Sequence, residues 1–175
     1  MTEKIIHIKI HPAAKKWLES TQKKAKGCVT ITDRETRTVF EACLGRKNYR
    51  GKSRVSEGYE TKYTTMKIRV PDWVFYNVGF EMTPFWQCTF SAYAYNRMMN
   101  EICTTVEAAA ATGHGDRLNT IEAMLQLYGL EETLKTETVR KHYQRHHRKR
   151  EKALAELYGN WNRKTAKKSE KWQKR

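Results

Sequence analysis

Two segments of the chain place an apolar residue at every second position, which is the period of a strand with one buried face. Isoleucines occupy positions 6, 8 and 10, and Met, Ile and Val occupy positions 66, 68 and 70, just before Pro71. The pattern predicts a first strand at 6–10 and a last strand at 62–70. Between them, two β-branched and aromatic runs, 28–32 and 38–44, flank a polar link and indicate a hairpin. The second of these runs also fits a helix.

Helical spacing and capping residues dominate the rest of the chain. Pro12 can open a short amphipathic helix that ends before Gly27, and Pro84 can open a long one that reaches about Thr112. Asp116 can cap a further helix, with Gly129 and Leu130 as its C-terminal cap. A final helix is expected from Thr136 to Tyr158, ended by Gly159, with a polar tail after it that is frayed without a partner.

These elements predict an α+β fold: a small antiparallel sheet of about four strands packed on a mainly helical C-terminal half. A chain of 175 residues is long enough for one core and an appendage. We expect a core domain at 1–135, with a basic surface loop at 45–61, and a basic helical arm at 136–175. The aromatic cluster between Trp73 and Tyr95 is expected to belong to the core.

Charge is concentrated at one end of the chain. The protein carries 34 Lys and Arg against 19 Asp and Glu, net +15. The segment 140–175 holds 14 of these cations and three of the acids, net +11, which leaves net +4 for residues 1–139. A polyanionic partner is the expected consequence of so dense a run.

The arm is therefore the first candidate for nucleic-acid binding. On a helix its polar positions spread over most of the circumference, while Val139 and Tyr143 keep one apolar seam. Binding to phosphates would reduce the mutual repulsion of the cations. The alternative is a charged helix face that is simply solvated, which is the more common role of a cluster of charged residues. The candidate contact residues of the arm are Arg140, Lys141, Gln144, Arg145, Arg148, Lys149, Arg150 and Lys152.

The basic loop is the second candidate. Five cations, with Arg54 the last of them, surround Tyr49. This composition is typical of loops that stack on an exposed base or follow a phosphate backbone, and equally of a solvated loop. Trp161 and Trp172 in the tail could stack on bases or contact a partner protein. The loop cations proposed as nucleic-acid contacts are Arg46, Lys47, Arg50 and Lys52.

The last two helices have the outline of a helix-turn-helix, although the link between them is longer than the usual turn. In that arrangement Thr138 and the first polar residues of the arm would face base edges. DNA is accordingly a more natural partner than RNA.

Enzyme-like patterns are present but incomplete. His7 and His11 are spaced too far apart along a strand for one metal ion, and His142 with Arg145 and Tyr158 only superficially resembles a tyrosine recombinase set. His142, His146 and His147 lack a nearby acid or thiol and are interpreted as part of an anion-binding face, strengthened as pH falls. No phosphate-binding glycine loop or nucleophile motif occurs. We expect a non-enzymatic protein without metal or cofactor.

The cysteines suit a reduced compartment. Their four positions, 28, 43, 88 and 103, form no CxxC pair, and neither a signal peptide nor a membrane-length apolar run is present. We expect a cytoplasmic nucleic-acid-binding protein that is not membrane-bound, such as a regulator or accessory factor of a phage or mobile element. The alternatives are an assembly protein of a virion or ribonucleoprotein, whose arm contacts partner chains or a second copy, and a nuclease or recombination enzyme.

Overall fold

The computed structural model describes residues 3–45, 62–113 and 115–173, with side chains through Tyr158. The chain divides into two compact units, Met1–Thr136 and Glu137–Arg175. The first unit combines a four-stranded sheet with helices, and the C-terminal half is helical, so the α+β prediction is confirmed.

The sheet consists of two long and two short strands. They are β1 (Glu3–Ile10), β2 (Lys23–Ala25), β3 (Cys28–Thr30) and β4 (Thr64–Pro71), in the spatial order β1-β4-β3-β2. β1 and β4 pair antiparallel over their whole length, and β2 and β3 form an antiparallel hairpin. β3 and β4 run parallel, with Val29 opposite Ile68. The sheet is therefore mixed rather than wholly antiparallel, because a helical connection rather than a tight turn leads from β3 toward β4.

The predicted strand at 38–44 is a helix. α2 (Arg34–Cys43) begins after Asp33, whose side chain accepts a hydrogen bond from the Thr36 N–H at 2.7 Å. Its buried residues are Thr36, Phe40 and Cys43, a spacing of four and three that only a helix places on one side. The hairpin instead joins β2 and β3 through Lys26 and Gly27.

Two consecutive positive φ angles define that hairpin turn. Lys26 has φ 51° and Gly27 has φ 71°, which is the type I′ geometry whose twist matches that of paired strands. The first helix therefore ends earlier than predicted. α1 covers Pro12–Thr21, and the Gln22 side chain then accepts hydrogen bonds from the N–H groups of Thr32 and Asp33.

One face of the sheet forms the core with a long central helix. The apolar residues of β1 and β4 at positions 6, 8, 10, 66, 68 and 70 are at most 4% exposed. α3 (Pro84–Ala111) packs against β1, α1 and α2, and the rings of Phe40 and Phe90 lie 5.2 Å apart. The helix predicted from Pro84 is confirmed to within one residue at its C-terminal end.

The carboxylate of Glu101 links α3 to two other helical elements by hydrogen bonds. Glu101 of α3 accepts a hydrogen bond from Trp17 Nε1 at 3.0 Å and another from the Tyr128 hydroxyl at 2.5 Å. Trp17 is 2% and Tyr128 8% exposed. Burial and the bond to this carboxylate raise the pKa of Tyr128 well above its usual range, so its hydroxyl remains a donor. Glu101 thus ties α1 and the end of α4 to the central helix.

The predicted caps of the later helices are present. α4 (Arg117–Leu127) begins after Asp116, whose carboxylate accepts from the Leu118 N–H, and it ends at Gly129 with φ 61°. α5 covers Thr136–Gln173 and continues through Gly159, where a stop was predicted. A glycine inside a helix costs only about 1 kcal/mol relative to alanine, and the residues on both sides of it are largely good helix formers.

His11 caps α1 in its neutral form. Its Nδ1 accepts the Ala13 N–H at 3.2 Å, and its ring packs edge-on to Tyr95 with centroids 4.9 Å apart. Burial lowers the pKa of His11 below 6.5. A lowered pKa means that the cap stabilises the fold above the unfolded-state pKa and is lost as pH falls through the folded-state value.

Replacing His11 by Asn should remove this pH dependence. Asparagine caps a helix without titrating, so we expect the variant to lose less stability than the wild type between about pH 7 and pH 5. Urea unfolding at both pH values measures the difference. Carboxylates titrate alike in both proteins and cancel in the comparison. Equal pH dependence of the two proteins would show that the cap does not titrate in this range.

Candidate nucleic-acid interface

The C-terminal helix α5 displays the predicted contact residues to solvent. All eight predicted positions of the arm are exposed. Among residues 137–158, seven Lys and Arg stand against three Glu, net +4. The sequence placed these residues on a helix, and the structure places each of them at its surface. They are Arg140, Lys141, Gln144, Arg145, Arg148, Lys149, Arg150 and Lys152.

Four cations of α5 lie on the opposite side of the helix from its apolar seam. Val139 is fully buried and Tyr143 is 6% exposed. At about 100° per residue, Arg145, Arg148, Lys149 and Lys152 fall within an arc of roughly 100° on the far side of the helix from these two. We call these four residues the cationic face of α5.

Glu137 pairs with two cations at the beginning of the helix. Glu137 contacts Arg140 Nε at 2.8 Å and Lys141 Nζ at 3.7 Å. The hydrogen bond from Arg140 holds the pKa of Glu137 below its usual range, so the pair is charged at neutral pH. Within the described part of the chain, no carboxylate lies within ion-pair distance of the cationic face. Its four charges are available to an external anion.

The three histidines of α5 flank the buried seam. His142, His146 and His147 are half-buried, and His147 Nδ1 lies 3.4 Å from Glu151. Burial, followed by the neighbouring His146 and cations, lowers the pKa of His142. His142 and Lys149 are separated by only about 20° around the helix, so the interpretation of the three histidines as part of an anion-binding face stays a prediction.

No protein-family model matches this chain, and neither the curated proteins nor the solved structures contain a significant match to it. The function of this protein is therefore inferred from its own residues. None of the helices in the described ranges is long and apolar enough to cross a membrane. Within those same ranges, no three histidine, cysteine or acidic side chains converge as metal ligands, and His11 uses its Nδ1 as a helix cap.

The second predicted site lies outside the described residues. Arg46, Lys47, Arg50 and Lys52 belong to the range 46–61, for which the structure gives no description. The side chains of Trp161 and Trp172 are likewise outside the described set. Contacts from the loop and from the tail stay predictions.

The link between α4 and α5 is longer than a helix-turn-helix turn. It contains the eight residues 128–135, whereas the motif uses three or four. The link forms a turn of its own, in which the Leu130 carbonyl accepts from the N–H groups of Thr133 and Leu134. A concavity of about 420 Å³ beside it is lined in part by Glu122 and Glu131, which do not suit a phosphate.

Several aromatic residues expected in the core are exposed. Val74 and Phe90 are buried, but Trp73, Tyr76 and Phe85 are 53%, 62% and 52% exposed. The segment Val74–Val78 is a π-helical turn, and the rings of Phe75 and Tyr76 within it lie 5.3 Å apart. The Lys4 ammonium lies 5.8 Å from the ring centroids of both Phe75 and Tyr76.

A basic surface on the sheet was not predicted from the sequence. The polar residues that alternate with the core residues of β1 and β4 include Lys9, Lys67 and Arg69, together with His7. The alternating pattern predicts the buried face of each strand from its apolar positions. The polar positions between them point to the other face of the sheet, so the same pattern also predicts this basic cluster.

Proposed function

We propose that this protein binds nucleic acid, DNA in preference to RNA, through the cationic face of α5. The observation that carries the proposal is the absence of any ion-pair partner, within the described residues, for four exposed cations on one side of a helix. Like charges so close together repel each other, and a phosphate backbone replaces that repulsion with attraction.

Contacts of this kind act mainly on the backbone of the nucleic acid. Phosphate contacts position a protein without reading sequence, and sequence preference needs further contacts with base edges. Gln144 is exposed beside the cationic face and is the first candidate for such a contact. We infer a non-enzymatic, cytoplasmic accessory factor or regulator, of the kind that phages and mobile elements use.

The proposal is tested by titrating the full chain with duplex DNA, single-stranded DNA and RNA of equal length across a salt series. Four phosphate contacts on duplex DNA correspond to a slope of log K against log salt of about −3.6. A steep negative slope with duplex DNA bound most tightly supports the proposal. Weak binding that does not change with salt would contradict it.

An assembly role is the second candidate because of the exposed aromatic residues between Trp73 and Trp86. Aromatic side chains are enriched at protein interfaces, and exposed apolar patches often mark them. Sedimentation of the purified chain over a range of concentrations separates the two functions. A protein that assembles without nucleic acid and binds none of it favours the assembly role.

A further inference from the structure

The outer face of the β1–β4 strand pair is a second exposed basic surface. Ile6, Ile8 and Ile10 point into the core, so the residues between them point to the opposite side of the sheet, and β4 follows the same alternation. We call the outward positions of the two strands the ribbon face. The ribbon face consists of Ile5, His7 and Lys9 of β1 and Thr65, Lys67 and Arg69 of β4.

The strand register brings the basic residues of the ribbon face together. His7 lies opposite Lys67, Ile5 opposite Arg69, and Lys9 opposite Thr65. Three of the six residues are permanent cations, one is a histidine and none is acidic. His7, Thr65 and Lys67 are exposed, and Lys9 and Arg69 are half-buried. His7 offers Lys67 no opposite charge across the strand pair.

The spacing of this surface suits an extended polyanion. Alternate residues along a strand are about 6.7 Å apart, close to the spacing of successive phosphates along a nucleic-acid strand. Single-stranded and duplex nucleic acids both present phosphodiester oxygens along their backbones to Lys9 and Lys67.

An acidic peptide fits this part of the sheet less well. Peptides usually add to a sheet along a free strand edge, through main-chain hydrogen bonds. Next to the ribbon face that edge is partly occupied, because the Lys9 N–H donates to the Gln87 side chain at 2.6 Å and the His11 N–H donates to Ser91 Oγ at 2.9 Å. What stays accessible is the face with its cations.

We propose that the ribbon face is a second contact surface for the phosphodiester backbone of a nucleic acid, separate from the cationic face of α5. The inference rests on the proposed function, because it assumes a nucleic-acid partner. It goes further in placing part of the contact on the folded α+β unit, in residues 5–9 and 65–69, and not on the C-terminal helix alone.

The test compares two double variants of the full chain. Lys9→Gln with Lys67→Gln removes two charges from the ribbon face, and Arg34→Gln with Arg37→Gln removes two from exposed positions of α2. We expect the ribbon variant to bind more weakly, with a salt slope shallower by about 1.4 on single strands and about 1.8 on duplex DNA. The α2 variant should keep the wild-type slope. Lys9→Arg with Lys67→Arg should also keep it.

The oligonucleotides are a DNA duplex, a DNA single strand and an RNA of equal length. The one for which the ribbon variant has a shallower salt slope than the wild type is the form that the ribbon face contacts. Thermal unfolding of each variant checks that the sheet is intact. Lysine acetylation read by mass spectrometry supplies an independent measure. Bound oligonucleotide should protect Lys9 and Lys67 more than Lys16 of α1.

Each outcome decides between the two proposals. If the wild type binds none of the oligonucleotides, the proposed function and the ribbon contact both fail. If the wild type binds but the ribbon variant behaves like the α2 variant, the ribbon contact alone fails and α5 is sufficient. A ribbon variant that loses affinity only for a poly-glutamate peptide would assign the surface to an acidic protein and overturn the proposal.

Discussion

Replacing the cationic face of α5 by glutamine is expected to abolish most of the affinity for duplex DNA at physiological salt. The four substitutions are Arg145→Gln, Arg148→Gln, Lys149→Gln and Lys152→Gln. Each lost phosphate contact makes the slope of log K against log salt shallower by about 0.9, so the four together should change it by about 3.6. Glutamine has nearly the same helix propensity as lysine and arginine, so α5 itself should persist.

A matched variant separates local contact from total charge. Four exposed cations of the first unit, changed to glutamine, lower the net charge by the same amount while leaving α5 intact. The long-range electrostatic attraction between protein and DNA then falls equally in both variants. Only the α5 variant also loses its phosphate contacts. If the two variants bind equally weakly, net charge rather than the cationic face determines affinity. The matched positions are Lys23, Arg34, Arg37 and Lys62.

Removal of the Glu101 carboxylate is expected to destabilise the first unit by about 3 kcal/mol. Glu101→Ala leaves the indole N–H of Trp17 and the hydroxyl of Tyr128 buried without their acceptor. An unsatisfied buried donor costs about 1–3 kcal/mol, and both donors lose a charged partner. Urea unfolding of the full chain measures the loss as a lower midpoint.

Two further variants test the assignment to the hydrogen bonds. Glu101→Gln keeps one carbonyl acceptor and should fall between the wild type and Glu101→Ala. Glu122→Ala removes an exposed glutamate from the neighbouring helix α4 and should change stability by less than about 0.5 kcal/mol. A loss below that value for Glu101→Ala would mean that water replaces the carboxylate at both donors.

The elements that the sequence predicted well are those with strong local signals. Alternation marked β1 and β4, and Asp116 and Gly129 marked the two ends of α4. The segment 38–44 was ambiguous because β-branched and aromatic residues favour strands, while the deciding features were the cap at Asp33 and the spacing of buried residues. The parallel pairing of β3 with β4 joins residues far apart in sequence, and no local pattern encodes it.

In the candidate site, too, the features with local signals could be predicted from the sequence, and those that depend on the fold could not. Exposure of the arm's cations follows from their density and could be predicted from the sequence alone. The sequence alone could not show which of these cations lack an ion-pair partner. That depends on the side of the helix on which Glu137 and Glu151 lie. The ribbon face required the register that sets His7 opposite Lys67, and this register appears only when β4 is placed next to β1.

The position of β1 at the sheet edge has a consequence for how the chain is made. Its only strand partner in the described sheet is β4, and Ile6 pairs with Ile68, 62 residues later. At about 5–20 residues per second, a ribosome needs roughly 3–12 s to synthesise the intervening chain. For that time three isoleucines that end in the core have no strand to pair with. The nascent chain therefore passes through an aggregation-prone interval, because the pairing of β1 with β4 joins residues far apart in sequence.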